Sequence, residues 1–229
     1  MNDADKAFFE QLEKESQKNP FIRVEAAANE VAEMLKRSCV DKGNMVKGDL
    51  WLYLLSVLAG VSCAKTGAAN DKRLLAENIN NPQYMAMVKL ETEAGNFYIG
   101  DAINQYLFNT PYSVWNIISS IYRDMHKDAV LPDIKSVITA NSANMGNKDY
   151  RVWDNIHNPY EEREDAKSTY ENIEKHLEPF GVKNDEMPAV YGIAVAQVIK
   201  KVEGIFPKTL NCLEMVLETI VFNAHMDYL

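Results

Sequence analysis

Five stretches of this sequence place apolar residues three or four positions apart, the spacing that gives a helix one buried face. In the C-terminal stretch, Leu213, Leu217, Ile220 and Ala224 share one side of such a helix. The 10 glycines and 8 prolines make up about 8% of the 229 residues, against a usual total of about 12%, so turns between short strands are scarce. The pattern predicts a mainly α protein, a single domain over 1–229 built from about eight helices. Residues 146–159 are the weakest point at which it could divide.

Capping residues, glycines and prolines predict where these helices begin and end. A turn at 67–71 is expected to separate the third helix from a short helix reaching residue 78. Thr110 and Pro111 predict a helix start, because a capping hydroxyl precedes a proline at the first helical position. Thr209 is expected to cap the last helix. The main expected helices span 5–18, 22–39, 47–65, 111–126, 132–146, 161–177, 188–206 and 209–228.

Residues 82–99 support two interpretations. As a helix, Asn81 would cap it, Pro82 would occupy its first position, and Gly95 would end it. As a hairpin, 84–91 would pair with 96–99 across a turn that contains Gly95. The aromatic and β-branched run at 97–99 favours the hairpin.

The charge of the chain argues against nucleic acid as a partner. The formal net charge is -9 and the pI is near 5.0. A phosphate-binding surface needs clustered Lys and Arg to displace counterions, and the basic residues here are dispersed. More than half of the acidic excess falls within 161–186, which favours a solvated helix face, with an acidic docking surface as the alternative.

Three features predict a cytoplasmic protein with no membrane span. Cys39, Cys63 and Cys212 are odd in number and have no metal-type spacing, as expected of free thiols in a reducing compartment. Residues 1–16 are amphipathic and acidic, which is unlike a signal peptide. The longest apolar run, 50–64, is shorter than the roughly 20 residues of a membrane-spanning helix, so a buried core helix is expected there.

Two groups of residues are candidates for a small-molecule pocket. Trp115, Tyr122 and His126 follow a heptad spacing on the helix that begins near Pro111, and aromatic walls with an imidazole are typical of ligand pockets. The alternative is the half-exposed border of an ordinary amphipathic helix. The second group is Trp153 and His157, in a loop that also contains Asp154. Aromatic loops between helices often pack down as a plug, but loops also carry function more often than core positions do.

The sequence predicts no cofactor and no metal site. Glu214, Glu218 and His225 form a polar stripe on the last helix, but His225 lies two turns beyond Glu218, about 10 Å along the axis and too far to share an ion. An ordinary solvent-facing edge of a buried helix explains this stripe. Glycine-rich phosphate loops and the usual hydrolase and metalloprotease signatures are missing from the sequence.

The apolar C-terminal stretch favours a protein-interaction function over a small-molecule-binding or enzymatic one. A final helix this apolar must be covered by the rest of the chain or by another subunit. The leading hypothesis is therefore a protein-interaction or self-associating module, which binds a protein partner or forms a homodimer through its C-terminal helices. The alternative is a small-molecule-binding protein or enzyme, with a pocket lined by Trp115, Tyr122, His126, Trp153 or His157. If Leu217 and Val221 are buried within one chain, the first hypothesis loses its basis.

Overall fold

The computed structural model describes residues 3–153, 155–206 and 212–229, apart from the side chain of Ile205. Within these residues the chain forms eight α-helices of eleven residues or more, one single-turn α-helix, one π-helical turn, three 3₁₀ turns and one antiparallel hairpin. The mainly α prediction is confirmed, and of the two alternatives for 82–99 the hairpin is the one observed. The elements are α1 (Asp3–Ser16), α2 (Phe21–Ser38), α3 (Gly48–Glu77), β1 (Val88–Thr92), β2 (Gly95–Ile99), α4 (Asp101–Asn104), α5 (Val114–Met125), α6 (Ile134–Asn144), α7 (Arg163–Leu177), α8 (Met187–Val202) and α9 (Cys212–His225).

Helix α3 is the centre of the fold. It is apolar on nearly every side, so it is buried against several neighbours, among them α7, α8 and α9. Among the described residues, α3 is long and apolar enough to cross a membrane by length and composition, and 78% of its most apolar 18-residue window is buried inside the protein. Other helices of the chain therefore cover this apolar surface. Burial of each Leu or Val in it contributes about 1.5–3 kcal/mol.

The predicted end of the third helix was wrong, because α3 continues through the expected turn at 67–71 to Glu77. The turn-forming residues make tertiary contacts instead. A Cβ on Gly67 would lie 3.0 Å from the carbonyl oxygen of Ala102, so glycine lets the backbone of α4 approach. The Asp71 carboxylate accepts a hydrogen bond from the Met87 backbone N–H at 3.2 Å. Packing thus overrides the local preference for a turn.

The predicted start of α5 was also wrong by three residues. Ser113, in an extended conformation, precedes the helix, and its N–H donates to the Thr110 carbonyl at 3.0 Å to close a turn. The Asn116 amide holds this turn by donating to the carbonyls of Phe108 and Thr110, each at 2.8 Å. Pro111 therefore sits in the turn and not in the helix. The predicted cap Thr209 lies outside the described residues.

The hairpin lies against the C-terminal end of the chain. Its strands pair in register from Val88 with Ile99 to Thr92 with Gly95, across a two-residue turn. Phe97 is fully buried, with its ring 5.8 Å from that of Phe222 in α9. On its other edge, β2 forms a bridge from Phe97 to Met226. The hairpin is therefore fixed through β2.

Helix α9 is buried within the single chain. Leu217 and Val221 are inaccessible to solvent, and α9 packs on α3 and α6. Its apolar face is therefore covered without a second subunit. A homodimer is therefore not needed to cover α9, although association of the protein stays a prediction.

Candidate functional site

The loop between α6 and α7 is held rigidly against α9. Val152 and His157 exchange two backbone hydrogen bonds, of 2.9 and 3.1 Å, which close a tight turn. The Glu218 carboxylate accepts hydrogen bonds from the Tyr150 hydroxyl at 2.8 Å and from the Trp153 backbone N–H at 3.2 Å. Because of these contacts, the side chain of His157 leaves the loop in a defined direction.

That direction brings His157 onto Tyr53 of α3. The two rings are stacked, with their centroids 3.6 Å apart and their planes 10° from parallel. The Glu162 carboxylate binds both: it accepts a hydrogen bond from the Tyr53 hydroxyl at 2.6 Å, and its other oxygen lies 3.0 Å from Nδ1 of His157. We call Tyr53, His157 and Glu162 the aromatic triad.

Glu162 is the charged member of the aromatic triad. Burial opposes its ionisation, but the hydrogen bonds from His157 and Tyr53 outweigh burial, and the pKa of Glu162 falls below its ordinary value. Burial and the neighbouring Glu162 carboxylate raise the pKa of Tyr53 well above its ordinary value, so the phenol stays protonated. An ionised carboxylate can only accept hydrogen bonds, so Nδ1 of His157 carries the proton. In the neutral imidazole, Nε2 is then an acceptor.

The aromatic triad borders a pocket of about 290 Å³ between α2, α3 and α7. Half of its lining residues are aliphatic, and Asp165 and two hydroxyl side chains, Ser38 and Thr169, also line it. In the part of the chain that the structure describes, no hydrogen-bond partner lies on Nε2 of His157. The lining residues are Leu35, Ser38, Leu50, Tyr53, Leu54, Val57, Leu58, His157, Glu162, Asp165, Ala166 and Thr169.

Of the five predicted ligand-binding residues, the structure brings two together. Trp153 and His157 both contact Tyr53, whose ring centroid lies 5.5 Å from that of Trp153. Trp153 is buried behind the triad and does not line the pocket, which is consistent with a plug. Asp154 lies outside the described residues.

The other three predicted residues lie away from this pocket. Trp115 is buried in the core. Tyr122 and His126 contact each other, with their ring centroids 4.7 Å apart, and Nε2 of His126 lies 2.9 Å from the Glu203 carboxylate. None of the three is among the residues that line the pocket of the aromatic triad.

The polar residues of α9 have structural contacts. Glu218 anchors the loop described above, and Nδ1 of His225 lies 2.8 Å from the Val221 carbonyl oxygen, one turn earlier in the helix. Burial lowers the pKa of His225, so its imidazole is neutral in the core. The described residues contain no group of three or more His, Cys, Asp or Glu side chains that could hold a metal ion.

Sequence reasoning missed Tyr53 and Glu162. Tyr53 lies in the most apolar helix of the chain, where a phenol hydroxyl needs a hydrogen-bond partner. That partner, Glu162, is 109 residues away in the sequence. The one local signal was the short separation in sequence between His157 and Glu162, which lie on either side of Pro159. This separation places a carboxylate at the start of the next helix.

Comparison of this chain with protein-family models, with curated proteins and with solved structures found no match. The geometry of the pocket therefore carries the functional argument.

Proposed function

We propose that this protein binds a small amphiphilic molecule in the pocket of the aromatic triad. The position of the His157 imidazole supports the proposal. Its Nδ1 is anchored on Glu162, one face is stacked on Tyr53, and Nε2 has no partner among the described residues. A histidine oriented in this way at the edge of an aliphatic pocket is suited to bind a ligand hydrogen-bond donor.

The wall of the pocket defines the class of ligand. Leucine, valine and alanine make up half of its lining residues and favour an apolar body for the ligand. The polar end of the ligand meets an acceptor at His157, beside the carboxylates of Glu162 and Asp165. No Lys or Arg is among the lining residues. A hydroxyl or an ammonium group fits these neighbours, whereas a carboxylate would be repelled.

The volume limits the ligand to a small one. About 290 Å³ is just below the roughly 300–1,000 Å³ of small-molecule pockets, and it is enough for a ring with a short polar arm. Benzyl alcohol and benzylamine are therefore suitable test compounds, and benzoate is their anionic counterpart.

NMR of the histidine side chains tests the proposal. The chain has four histidines, so four single substitutions assign their imidazole ¹H–¹³C signals. At about pH 8, where a free imidazole is neutral, we expect benzyl alcohol and benzylamine at about 10 mM to shift the His157 signal, and benzoate to leave it unchanged. Ligands of this size bind at millimolar concentration.

Two variants make the experiment specific. Leu54→Trp fills the pocket and should abolish the shift at His157. His176→Gln changes a half-exposed histidine on α7 that pairs with Glu30, and should leave the shift intact. No shift at His157 with any of the compounds, or a shift that Leu54→Trp does not remove, would contradict the proposal.

A further inference from the structure

The outer edge of β1 is not paired with another strand of the described chain. In a hairpin closed by a two-residue turn, the pair that flanks the turn is hydrogen-bonded, and such pairs alternate along the strands. Thr92, Leu90 and Val88 therefore bond to β2. The peptide groups of Lys89 and Glu91 point the other way, and in the described part of the chain they have no partner.

Apolar side chains are exposed on this strand and just before it. Val88 is 53% exposed and Leu90 is 43% exposed, and the preceding Met85 is 47% exposed. An exposed strand edge with apolar side chains favours pairing with a strand of another chain.

The sequence of β1 complements itself. When two copies of the strand run antiparallel with Leu90 opposite Leu90, Lys89 of each copy lies opposite Glu91 of the other. The same register makes Lys89 and Glu91 the hydrogen-bonded pair, and these are the residues whose peptide groups face outward. A register with Lys89 opposite Lys89, or with Glu91 opposite Glu91, would place like charges opposite each other, which destabilises antiparallel strands.

We propose that two copies of this protein associate through β1, in this antiparallel register, to form a four-stranded sheet. The other edge of the hairpin is covered, since β2 bridges to Met226 and the Asp227 N–H donates to the Asn96 carbonyl at 3.1 Å. The new sheet therefore cannot grow further, and the association is a closed dimer with two-fold symmetry. This surface is distinct from α9 and independent of the pocket.

Sedimentation of the whole chain from about 1 µM to about 1 mM tests the dimer, since this range covers the Kd values of weak association. We expect a reversible monomer–dimer equilibrium. Lys89→Glu and Glu91→Lys should each weaken it at least about tenfold, because both cross-strand pairs become repulsive. An equimolar mixture of the two variants restores both pairs and should recover a heterodimer with close to wild-type affinity.

The two variants should leave the fold unchanged, because both side chains are exposed and the ion pair that they form is with each other. Lys127→Glu makes the same change in net charge as Lys89→Glu at an exposed position outside the strand, and it should dimerise like wild type. A wild-type chain that stays monomeric throughout would overturn the proposal, since Lys89 and Glu91 would then protect the edge from pairing. A dimer that is insensitive to the charge reversals, or variants that do not recover on mixing, would overturn it too.

Discussion

Gly60 of α3 lies directly against the backbone of Ile220 in α9, so closely that a Cβ at position 60 would be 2.6 Å from the Ile220 carbonyl oxygen. The Cβ of Asn223 would be equally near. Helices α3 and α9 therefore meet backbone to backbone at this point, and their separation depends on the missing side chain.

Gly60→Ala should therefore destabilise the protein, although alanine is the better helix former. The added methyl group forces α3 and α9 apart, and we expect a loss of about 2–4 kcal/mol in the free energy of unfolding, measured by urea denaturation. Gly204→Ala is the control, because a Cβ at that position meets nothing within 4 Å. Equal stability of the Gly60→Ala variant and wild type would show that the helices are separated by more than the structure indicates.

A substitution at Tyr150 tests whether contacts with α9 hold the loop that carries His157 in place. Its hydroxyl donates its one hydrogen to Glu218 at 2.8 Å and also lies 2.9 Å from the Asn141 side-chain oxygen, so Tyr150→Phe removes a hydrogen-bond donor from a partly buried site. We expect a loss of about 1–3 kcal/mol in stability and faster hydrogen exchange at the Trp153 amide, which donates to the same carboxylate.

Tyr112→Phe is the matched control for the loop, because Tyr112 is 65% exposed. It should leave both the stability and the exchange at Trp153 unchanged. If Tyr150→Phe behaves in the same way, then Glu218 does not hold the loop through this hydroxyl.

The sequence predicted the helices well where their apolar period was regular, and failed where tertiary contacts used residues typical of turns. Gly67 and Asp71 have strong local preferences for a turn, yet α3 continues through them because Gly67 packs on α4 and Asp71 binds the residue before β1. Such contacts join distant parts of the chain and leave no periodic signal. The hairpin was favoured correctly because its aromatic and β-branched run suits a strand.

The candidate site was only half predictable for the same reason. His157 and Trp153 stood out as aromatic and titratable residues in one short loop. Tyr53 did not, because a single tyrosine in an apolar helix has no local pattern that reveals its partner. The stripe of Trp115, Tyr122 and His126 had the right spacing for a pocket wall, but spacing alone does not say which neighbour covers that face of the helix.

His225 should make the stability of the protein depend on pH near neutrality. Burial lowers its pKa in the folded state below the ordinary value of 6.5, so the unfolded chain binds the proton more strongly. The stabilising effect is present above 6.5 and is lost as the pH falls towards the lowered pKa, by up to about 1.4 kcal/mol per pH unit. His225→Asn keeps a donor for the Val221 carbonyl and removes the titration. Urea denaturation from about pH 7.5 to pH 5 should therefore show a smaller slope for His225→Asn than for wild type.

Glu162 should make the stability of the protein, and of the aromatic triad, depend on pH in the acid range. Its pKa in the folded state lies below the ordinary 4.5, so the ionised carboxylate stabilises the fold above that pH and the effect is lost as the pH falls through the lowered value. Glu162→Gln cannot accept a hydrogen bond from both Tyr53 and His157 as a carboxylate does. We expect it to be about 1 kcal/mol less stable than wild type at neutral pH, a modest loss because the side chain is 38% exposed. The difference between the two proteins should shrink below about pH 4, when wild type loses the same charge.

Glu164→Gln removes an exposed carboxylate two residues away and controls for net charge. A Glu162→Gln deficit that stays constant from neutral pH to about pH 3 would mean that the carboxylate does not hold Tyr53 and His157 through its charge.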